Sequence, residues 1–235
     1  MINLTSLDIT NKNLVIRVDM NVPIQNGIVT DTSRIKACIP TIKLALENNA
    51  KVLLISHLGR PEEGKFEEKF SMKPVAESLS SIINQEVGLV DRLDSEDIFK
   101  SSFNIQILEN IRFFKGEKAN DKDLGNTLAN LGDIYVFDAF GTAHREQAST
   151  YSAIEQSKIA CPGLLLEKEI DFLTKALNDY QNPYVAIIGG AKVSTKLELI
   201  KYINNVADNI IVGGGIANTF ILASGLNVGK SLVEE

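Results

Sequence analysis

Residues 51–61 read KVLLISHLGRP, an apolar run that ends in a basic turn with a glycine. A short, continuous apolar run is expected for a strand buried on both faces of a parallel sheet. Residues 13–20 (NLVIRVDM) predict an earlier strand, with every second residue from Leu14 to Met20 on one apolar face. The segment between the two strands keeps helical spacing at Ile35, Ile39, Ile42 and Leu46. Strand, helix and strand in this order predict a βαβ unit.

The alternation of strands and helices continues along the chain. Further strands are predicted at 104–108, 133–137, 184–188 and 209–212. Further helices are predicted near 75–83 and at 121–131, 164–178, 192–206 and 216–223. Because alternation of this kind is typical of α/β proteins, each group of strands should form a parallel sheet.

The long helix at 164–178 separates two groups of elements, which predicts two lobes. We expect an N-terminal domain at 1–160, an interdomain hinge helix at 161–182 and the start of a second domain at 183–235. The predicted fold class is therefore α/β, with Rossmann-like parallel sheets in two lobes, the second incomplete in this chain.

Composition excludes several classes of protein. The formal net charge of −6 over 235 residues argues against general binding to nucleic acid or to anionic membranes. No apolar run approaches the roughly 20 residues that span a bilayer, and the first residues lack a secretory pattern, so we expect a cytoplasmic protein. Cys38 and Cys161 lack metal or CxxC spacing and are predicted to be small buried side chains.

Basic and polar residues cluster just after the predicted strands, where parallel sheets bind ligands. They are Asp19, Asn21, Arg34, His57, Arg60, Arg112 and Arg145, of which Arg34 lies in the first turn of a helix. Guanidinium groups bind phosphate and carboxylate bidentately, so the four arginines predict an anionic ligand. The alternative is that they are solvated or paired with Asp19 and Asp138, that Asp19 caps a helix, and that His57 supports the turn before Pro61.

A second anion site is predicted in the C-terminal group of elements. Residues 189–196 (GGAKVSTK) follow a strand and open a predicted helix, whose N-terminus favours negative charge. Lys192 and Lys196 are four residues apart and should project from one helix face. The alternative is a plain turn with two solvated lysines. Nearby patterns fail: 213–218 departs from the dinucleotide fingerprint, and 225–231 is one residue short of a P-loop.

Taken together, seven short motifs in this order resemble phosphoglycerate kinase and extend over essentially the whole chain. They are RVDMNVP (17–23), SRI (33–35), SHLGRP (56–61), LENIRF (108–113), DAFGTAHR (138–145), GGAKVSTK (189–196) and GGGIANTF (213–220). The resemblance implies a glycolytic enzyme that transfers a phosphoryl group reversibly between 1,3-bisphosphoglycerate and ADP, giving 3-phosphoglycerate and ATP. It further implies Mg²⁺ bound with ATP or ADP as co-substrate, small-molecule partners only, and a monomer.

The resemblance also implies roles for individual residues. Phosphoglycerate would be bound by Asp19, Asn21, Arg34, His57, Leu58, Gly59, Arg60, Arg112 and Arg145. The nucleotide would be bound by Gly190, Ala191, Lys192, Lys196, Gly214 and Gly215. Catalysis would rest on Arg34, closest to the carboxyl group that is phosphorylated, and on Lys192, which would guide the phosphoryl group. No metal ligand is implied in the protein itself.

The sequence departs from the family pattern in two ways. Gln147 stands where the family often has a histidine, and the family's later glycine-rich nucleotide loop is not found in these 235 residues. An inactive truncated fragment that only binds 3-phosphoglycerate therefore remains an alternative to an active kinase. A third possibility is an unrelated α/β protein that binds anions.

Overall fold

The computed structural model describes residues 2–93 and 98–234. The chain divides into two compact units, Met1–Ile170 and Asp171–Glu235. The division falls inside the helix Leu164–Asn178, whose bounds are those expected from its apolar spacing. Each unit is described by itself below.

A parallel sheet of six strands forms the centre of the first unit. Its strands are β1 (Asn13–Val18), β4 (Lys51–Ile55), β5 (Val87–Val90), β6 (Ile105–Leu108), β7 (Ile134–Asp138) and β8 (Ala160–Pro162), and β2 (Ile24–Gln25) and β3 (Ile28–Val29) form a separate hairpin. The strand order in the sheet is β5-β6-β4-β1-β7-β8, and every pair is parallel. The parallel α/β class predicted from the alternating pattern is confirmed.

β1 lies between β4 and β7, and this position explains its burial. Leu14, Ile16, Val18 and Met20 pack into one apolar cluster, so the predicted apolar face is confirmed, and Val15 and Arg17 on the opposite face are buried as well. A strand in the middle of a parallel sheet is covered by helices on both sides. Ile16 therefore packs into one apolar cluster, while Val15 packs into the other.

Helices cover this sheet and connect its strands. They are α1 (Ser33–Glu47), α2 (Lys73–Ile83), α3 (Lys122–Ala129), α4 (Ala153–Gln156) and α5 (Leu164–Asn178). Before α1, Asp31 accepts a hydrogen bond from the Ser33 backbone N–H at 2.8 Å, as its position in the sequence suggests. At α3, Asp121 caps the first turn by accepting from Leu124 N at 2.8 Å. Both carboxylates satisfy N–H groups that have no partner within the helix.

Three strand features were not predicted from the sequence. β5 and β8 are edge strands of four and three residues, too short to give a clear pattern. β2 and β3 form a hairpin whose turn is Asn26-Gly27, both with positive φ (51° and 76°). Asn-Gly is the preferred pair for such a turn, so the signal for the hairpin was present in the sequence.

The second unit contains two parallel strands and their helices. The strands are β9 (Val185–Gly190) and β10 (Asn209–Gly213), and the helices are α6 (Leu197–Ile203) and α7 (Gly214–Ala223). Side chains on β9 alternate, with Ala186 and Ile188 buried and Ile187 77% exposed. One face of this sheet therefore packs against the helices, and the other is open to solvent.

The predicted helix at 192–206 begins later than expected. Ser194–Lys196 form a 3-10 turn, and the α-helix starts only at Leu197. The Ser194 and Thr195 hydroxyls bond to groups outside the helix, with Thr195 Oγ1 donating to the Lys192 carbonyl at 3.0 Å. Such bonds compete with helical hydrogen bonding. Lys192 therefore precedes the helix, and the prediction that both lysines share one helix face is wrong.

Both cysteines are buried and free, and burial raises the pKa of Cys161 to about 12 and that of Cys38 further still. Within the described residues, no helix is long and apolar enough to cross a membrane. The same residues contain no cluster of three or more His, Cys, Asp or Glu side chains placed to hold a metal ion.

Candidate anion and nucleotide sites

Four neighbouring strands of the first unit, β6, β4, β1 and β7, end at the same edge of the sheet. The carboxyl ends of parallel strands are where α/β folds bind ligands. The predicted anion-binding residues follow these four strands: Asp19 and Asn21 after β1, His57 to Arg60 after β4, Arg112 after β6 and Arg145 after β7. Arg34 lies in the first turn of α1. We call these residues the arginine edge.

Asp19 and Asn21 lie beyond the end of their strand. β1 stops at Val18, and the Met20 backbone N–H donates to the Ser56 side chain at 2.9 Å instead of continuing the sheet. Their spacing of two residues would place Asp19 and Asn21 on one face of a strand, but both lie on the loop after β1 and share no strand face. Asp19 instead accepts a hydrogen bond from Arg34, and Asn21 accepts one from the Gly59 backbone N–H at 3.0 Å.

The loop after β4 is fixed by Asn110, which sequence analysis did not single out. Asn110 is fully buried, accepts from Leu58 N at 3.2 Å and donates to Leu58 O at 2.7 Å. It also accepts from Arg112 N at 3.1 Å, so one side chain ties the loops after β4 and β6 together. Leu58, predicted as a ligand contact, has its side chain in the core and both backbone groups bonded to Asn110.

Gly59 is required in this loop for two reasons. Its φ of +59° lies in the left-handed region, which side chains rarely adopt. A Cβ at this position would also lie 2.4 Å from the Phe70 ring. The Gly59 carbonyl accepts from Arg112 Nη1 at 2.5 Å, so the tight turn also positions a cation.

Arg34 and Asp19 form an ion pair at the rim of the edge. The Arg34 side chain is 53% exposed, whereas that of Asp19 is 20% exposed. The pair borders a cleft of about 270 Å³, which Asp138, Phe140 and Glu169 also line. Arg34 is therefore held by a carboxylate and remains accessible to an anion from solvent.

Arg112 is the most buried of the four predicted arginines, with 5% of its surface exposed. One guanidinium nitrogen donates to Gly59 O, whereas the buried Nε has no hydrogen-bond partner in the described structure. Burial, followed by repulsion from Arg145 and Arg17, lowers the pKa of Arg112. A buried donor without a partner is unusual in a folded protein, and an acceptor from a ligand would satisfy it.

The surroundings of His57 show that the cations converge. Burial lowers its pKa to about 2, with further contributions from Arg17, Arg112, Arg145 and Arg34, in that order. His57 is only 4% exposed, and because its pKa is this low it is neutral at physiological pH. Arg60 is exposed and Arg145 half-buried, and neither forms an ion pair with any described carboxylate. The edge therefore carries positive charge that its own acids do not balance.

Arg17 is not one of the four predicted arginines but also acts on His57, and no role was predicted for it. It lies within β1, is 1% exposed, and approaches His57 Nδ1 to 3.4 Å. The local signal for its burial is an arginine within an otherwise apolar strand. Because charged residues are almost never fully buried without a partner, such an arginine indicates a buried partner elsewhere in the fold.

The glycine-rich ends of β9 and β10 meet in the second unit. Gly190 and Gly214 form a parallel bridge, and a Cβ on Gly215 would lie 2.4 Å from the Ala191 carbonyl oxygen. Gly214 also has a φ of +64°. Close backbone packing therefore requires Gly214 and Gly215, and an added Cβ on Gly189 or Gly213 would meet nothing within 4 Å.

The lysines of the second unit differ in their surroundings. Lys196 is half-buried, and its Cε lies 3.0 Å from where a Cβ of Gly190 would be, whereas Lys192 is exposed. Glu234 accepts hydrogen bonds from the Ser194 backbone N–H, at 2.7 Å, and from its hydroxyl. These bonds lower the pKa of Glu234. A carboxylate thus occupies the turn that the sequence predicted to bind phosphate.

Comparison with known proteins gives one consistent result. Residues 4–235 match the family model described as phosphoglycerate kinase. The phosphoglycerate kinases of Haemophilus influenzae (strain PittGG) and Mannheimia succiniciproducens are each 52% identical over the whole chain, which spans 60% of either relative.

Solved structures agree with the sequence matches. The chain is similar to phosphoglycerate kinase from Coxiella burnetii, with a TM-score of 0.85, 46% identity, and coverage of 100% of this chain and 60% of that one. For the enzyme from Pyrococcus horikoshii OT3 the TM-score is 0.86 at 32% identity, with 97% and 59% covered. Sequence, fold and the order of the site loops together show that the chain belongs to the phosphoglycerate kinase family.

Proposed function

We propose that this chain provides the phosphoglycerate site and part of the nucleotide site of a glycolytic kinase. The reaction is the reversible transfer of a phosphoryl group between 1,3-bisphosphoglycerate and ADP, giving 3-phosphoglycerate and ATP. The observation that carries the proposal is the buried Arg112 Nε without a partner, at an edge where cations outnumber their acids. The chain spans about 60% of its relatives, so the reaction of the whole enzyme is itself part of the proposal.

In this proposal, phosphoglycerate binds at the arginine edge. Arg112 and Arg145 would hold one anionic group of the ligand, and Arg112 Nε would gain its missing acceptor. His57, being neutral, would contribute a hydrogen bond without adding another charge. Arg60 would complete the positive surroundings from the exposed side. Bidentate guanidinium contacts orient an anion as well as attract it.

Arg34 would lie near the carboxyl group that receives the phosphoryl group. Asp19 holds Arg34 by an ion pair, which fixes its direction before the substrate binds. Phosphoryl transfer depends on positioning the reactants and on stabilising the developing charge. A guanidinium that is already oriented would do both. Asn21 would act mainly by fixing the Gly59 loop.

The nucleotide would bind at the ends of β9 and β10. Gly190, Ala191, Gly214 and Gly215 would form one wall, with open space beside Gly189 and Gly213. Lys196 would contact the phosphates, and the exposed Lys192 would guide the transferred group. A phosphate at the Ser194 turn would compete with the Glu234 carboxylate. Mg²⁺ bound with the nucleotide would supply further positive charge at the phosphoryl group.

The second candidate function is binding of 3-phosphoglycerate without transfer. It is favoured by the two-stranded sheet of the second unit, which is covered on one face only and leaves Ile187 77% exposed. A nucleotide site on such a sheet is less firmly supported than the phosphoglycerate site. A coupled assay of ATP formation on this 235-residue chain decides between the two. Turnover supports the kinase, and binding without turnover supports the alternative for this chain.

Calorimetric titration with 3-phosphoglycerate tests the site itself. Arg145→Ala should weaken binding about 10- to 100-fold, because a charge-assisted contact is lost. Arg92→Ala is the control, since Arg92 is 84% exposed, pairs with Asp91 and follows the outermost strand β5 rather than one of the four strands that carry the arginine edge. Binding of ADP should be unchanged in both variants. Equal affinity of Arg145→Ala and wild type for 3-phosphoglycerate would rule out the proposed site.

A further inference from the structure

A buried polar group lies behind the arginine edge and is not explained by the proposed contacts. Arg17 is 1% exposed, and Glu117 and Ser149 are fully buried. Burying a charge is costly unless it is paired and hydrogen-bonded. The three residues come from distant parts of the sequence, so the fold brings them together for a reason that local structure does not supply.

Ser149 connects the two charges. Arg17 Nε donates to Ser149 Oγ at 3.0 Å, and the same hydroxyl donates to Glu117 Oε1 at 2.6 Å. The Ser149 backbone N–H donates to the other carboxylate oxygen at 2.9 Å. A hydroxyl has one proton and two lone pairs, and both functions are used here. No described carboxylate lies within 4 Å of Arg17, so Ser149 carries the contact between cation and anion.

Two further bonds fix the position of Ser149. The Tyr135 hydroxyl donates to the Ser149 carbonyl at 2.6 Å, and the neighbouring Ala148 N–H donates to the Glu117 carbonyl at 2.9 Å. Burial raises the pKa of Glu117, while attraction by Arg17 and the bonds from Ser149 lower it. The segment therefore holds a carboxylate at a fixed distance behind Arg17.

On its other side, Arg17 meets His57. Its Nη2 lies 3.4 Å from His57 Nδ1. A guanidinium can only donate, so Nδ1 must be the acceptor in this contact. His57 is neutral, and its single ring proton must therefore be on Nε2. The contact selects one of two tautomers of a residue that belongs to the arginine edge.

We propose that Glu117 and Ser149 are positioning residues that hold Arg17 in place, and that Arg17 in turn fixes His57 as its Nε2–H tautomer. The anion site then receives a hydrogen-bond donor from the imidazole rather than a lone pair that would repel the ligand. The proposal deepens the function proposed above and rests on phosphoglycerate being the anion. Its first test, however, does not depend on any ligand.

The first test compares Ser149→Ala with Ser152→Ala by ¹⁵N NMR of the His57 ring at neutral pH. Ser152 is also buried, but its hydroxyl bonds to Asn120 Oδ1 at 2.7 Å and not to the Arg17 group. Wild type and Ser152→Ala should show protonated Nε2 and bare Nδ1. Ser149→Ala should show the two tautomers mixed. Protonated Nδ1 in wild type, or an unchanged tautomer in Ser149→Ala, would overturn the proposal.

The second test measures affinity for 3-phosphoglycerate. Ser149→Ala should bind about tenfold more weakly, and Ser152→Ala within about twofold of wild type. Glu117→Gln is a second variant should Ser149→Ala not fold. An amide has one acceptor oxygen where the carboxylate has two, so either the Ser149 N–H or its hydroxyl loses its acceptor, and binding should weaken in the same direction. Equal losses in Ser149→Ala and Ser152→Ala would reduce the group to a merely structural role and overturn the proposal. If wild type does not bind 3-phosphoglycerate, the proposed function fails while the tautomer result stands.

Discussion

The two units of the chain use the same strand–helix alternation but differ in how the sheet is covered. In the first unit, the central strands β1, β4 and β7 are buried along nearly their whole length. In the second, β9 alternates between buried and exposed residues, and β10 has no fully buried residue. The same pattern in the sequence therefore leads to one strand environment with two covered faces and another with one.

This difference matters for the chemistry proposed for each unit. The arginine edge stands on strands that are fixed on both sides, and its loops are tied together by Asn110 and Asn21. The glycine turns of the second unit rest on one packed face, with Lys192 exposed. Rigid support favours precise orientation of a small anion, so the first unit is the better-defined site.

The largest expected effect contrasts one isoleucine from each sheet. Ile16→Ala on β1 should lower the free energy of unfolding by about 2–5 kcal/mol, because a fully buried side chain is replaced by a cavity. Ile187→Ala on β9 should change it by less than about 0.5 kcal/mol, since that side chain is 77% exposed. Urea unfolding followed by circular dichroism measures both.

Similar losses for the two variants would contradict the comparison, because they would mean that Ile187 is covered in solution. Ile188→Ala, on the buried face of the same strand, provides the internal control. Ile188→Ala should lower the free energy of unfolding more than Ile187→Ala does, because the Ile188 side chain is buried whereas that of Ile187 already contacts water.

Much of the fold could be predicted, because it depends on local patterns. The apolar run 51–55 and the spacing in α5 indicated a strand and a helix whose bounds the structure nearly reproduces. The centrality of β1 could not be predicted, since strand order depends on pairing between distant segments. The helical spacing of Lys192 and Lys196 misled because the Ser194 and Thr195 hydroxyls redirect the backbone.

The candidate site shows the same division between local and distant information. Arginines after strands predicted an anion edge, and the structure brings them around His57. The group formed by Arg17, Glu117 and Ser149 had no such signal, because Arg17 and Ser149 are 132 residues apart. Only the folded chain shows that a buried carboxylate stands behind the cations.

A second prediction concerns pH, since both histidines lie in the first unit. The pKa of His57 is about 2 in the folded state, against about 6.5 for an unburied imidazole. Between these values the unfolded chain binds a proton that the folded chain does not. The contribution of His57 to the free energy of unfolding should therefore be fully present above pH 6.5. It should fall by about 1 kcal/mol for each pH unit below that value.

The contribution of His57 is isolated by comparison with His57→Asn, whose amide oxygen can still accept from Arg17. The pKa values of Glu117, Asp138 and Glu169 are raised in the folded state, so these groups stabilise the fold as the pH falls. This effect is present in both proteins and cancels in the comparison. From pH 6.5 to 4.5, wild type should lose about 2 kcal/mol more than His57→Asn. A parallel pH dependence of the two proteins would show that His57 is not held neutral.

The smallest effect is expected where α5 begins, within the first unit. Thr41 Oγ1 donates to the buried Asp138 at 2.6 Å and accepts from Leu164 N at 3.0 Å, and Asp138 accepts from Leu166 N at 2.9 Å. Thr41→Val keeps the shape but removes both hydroxyl bonds. It should cost about 1–2 kcal/mol, because a buried carboxylate and an amide lose a partner.

Hydrogen exchange locates this loss along the chain. In Thr41→Val, the amide of Leu164 should exchange faster, whereas amides of β9 in the second unit should keep their rates. Thr127→Val on α3 is the matched control, because that threonine is exposed and bonds only to the Asp123 carbonyl of its own helix. If Thr41→Val accelerated exchange equally in both units, the two sheets would unfold together. The two units would then differ in how deeply their strands are buried but not in how stable they are.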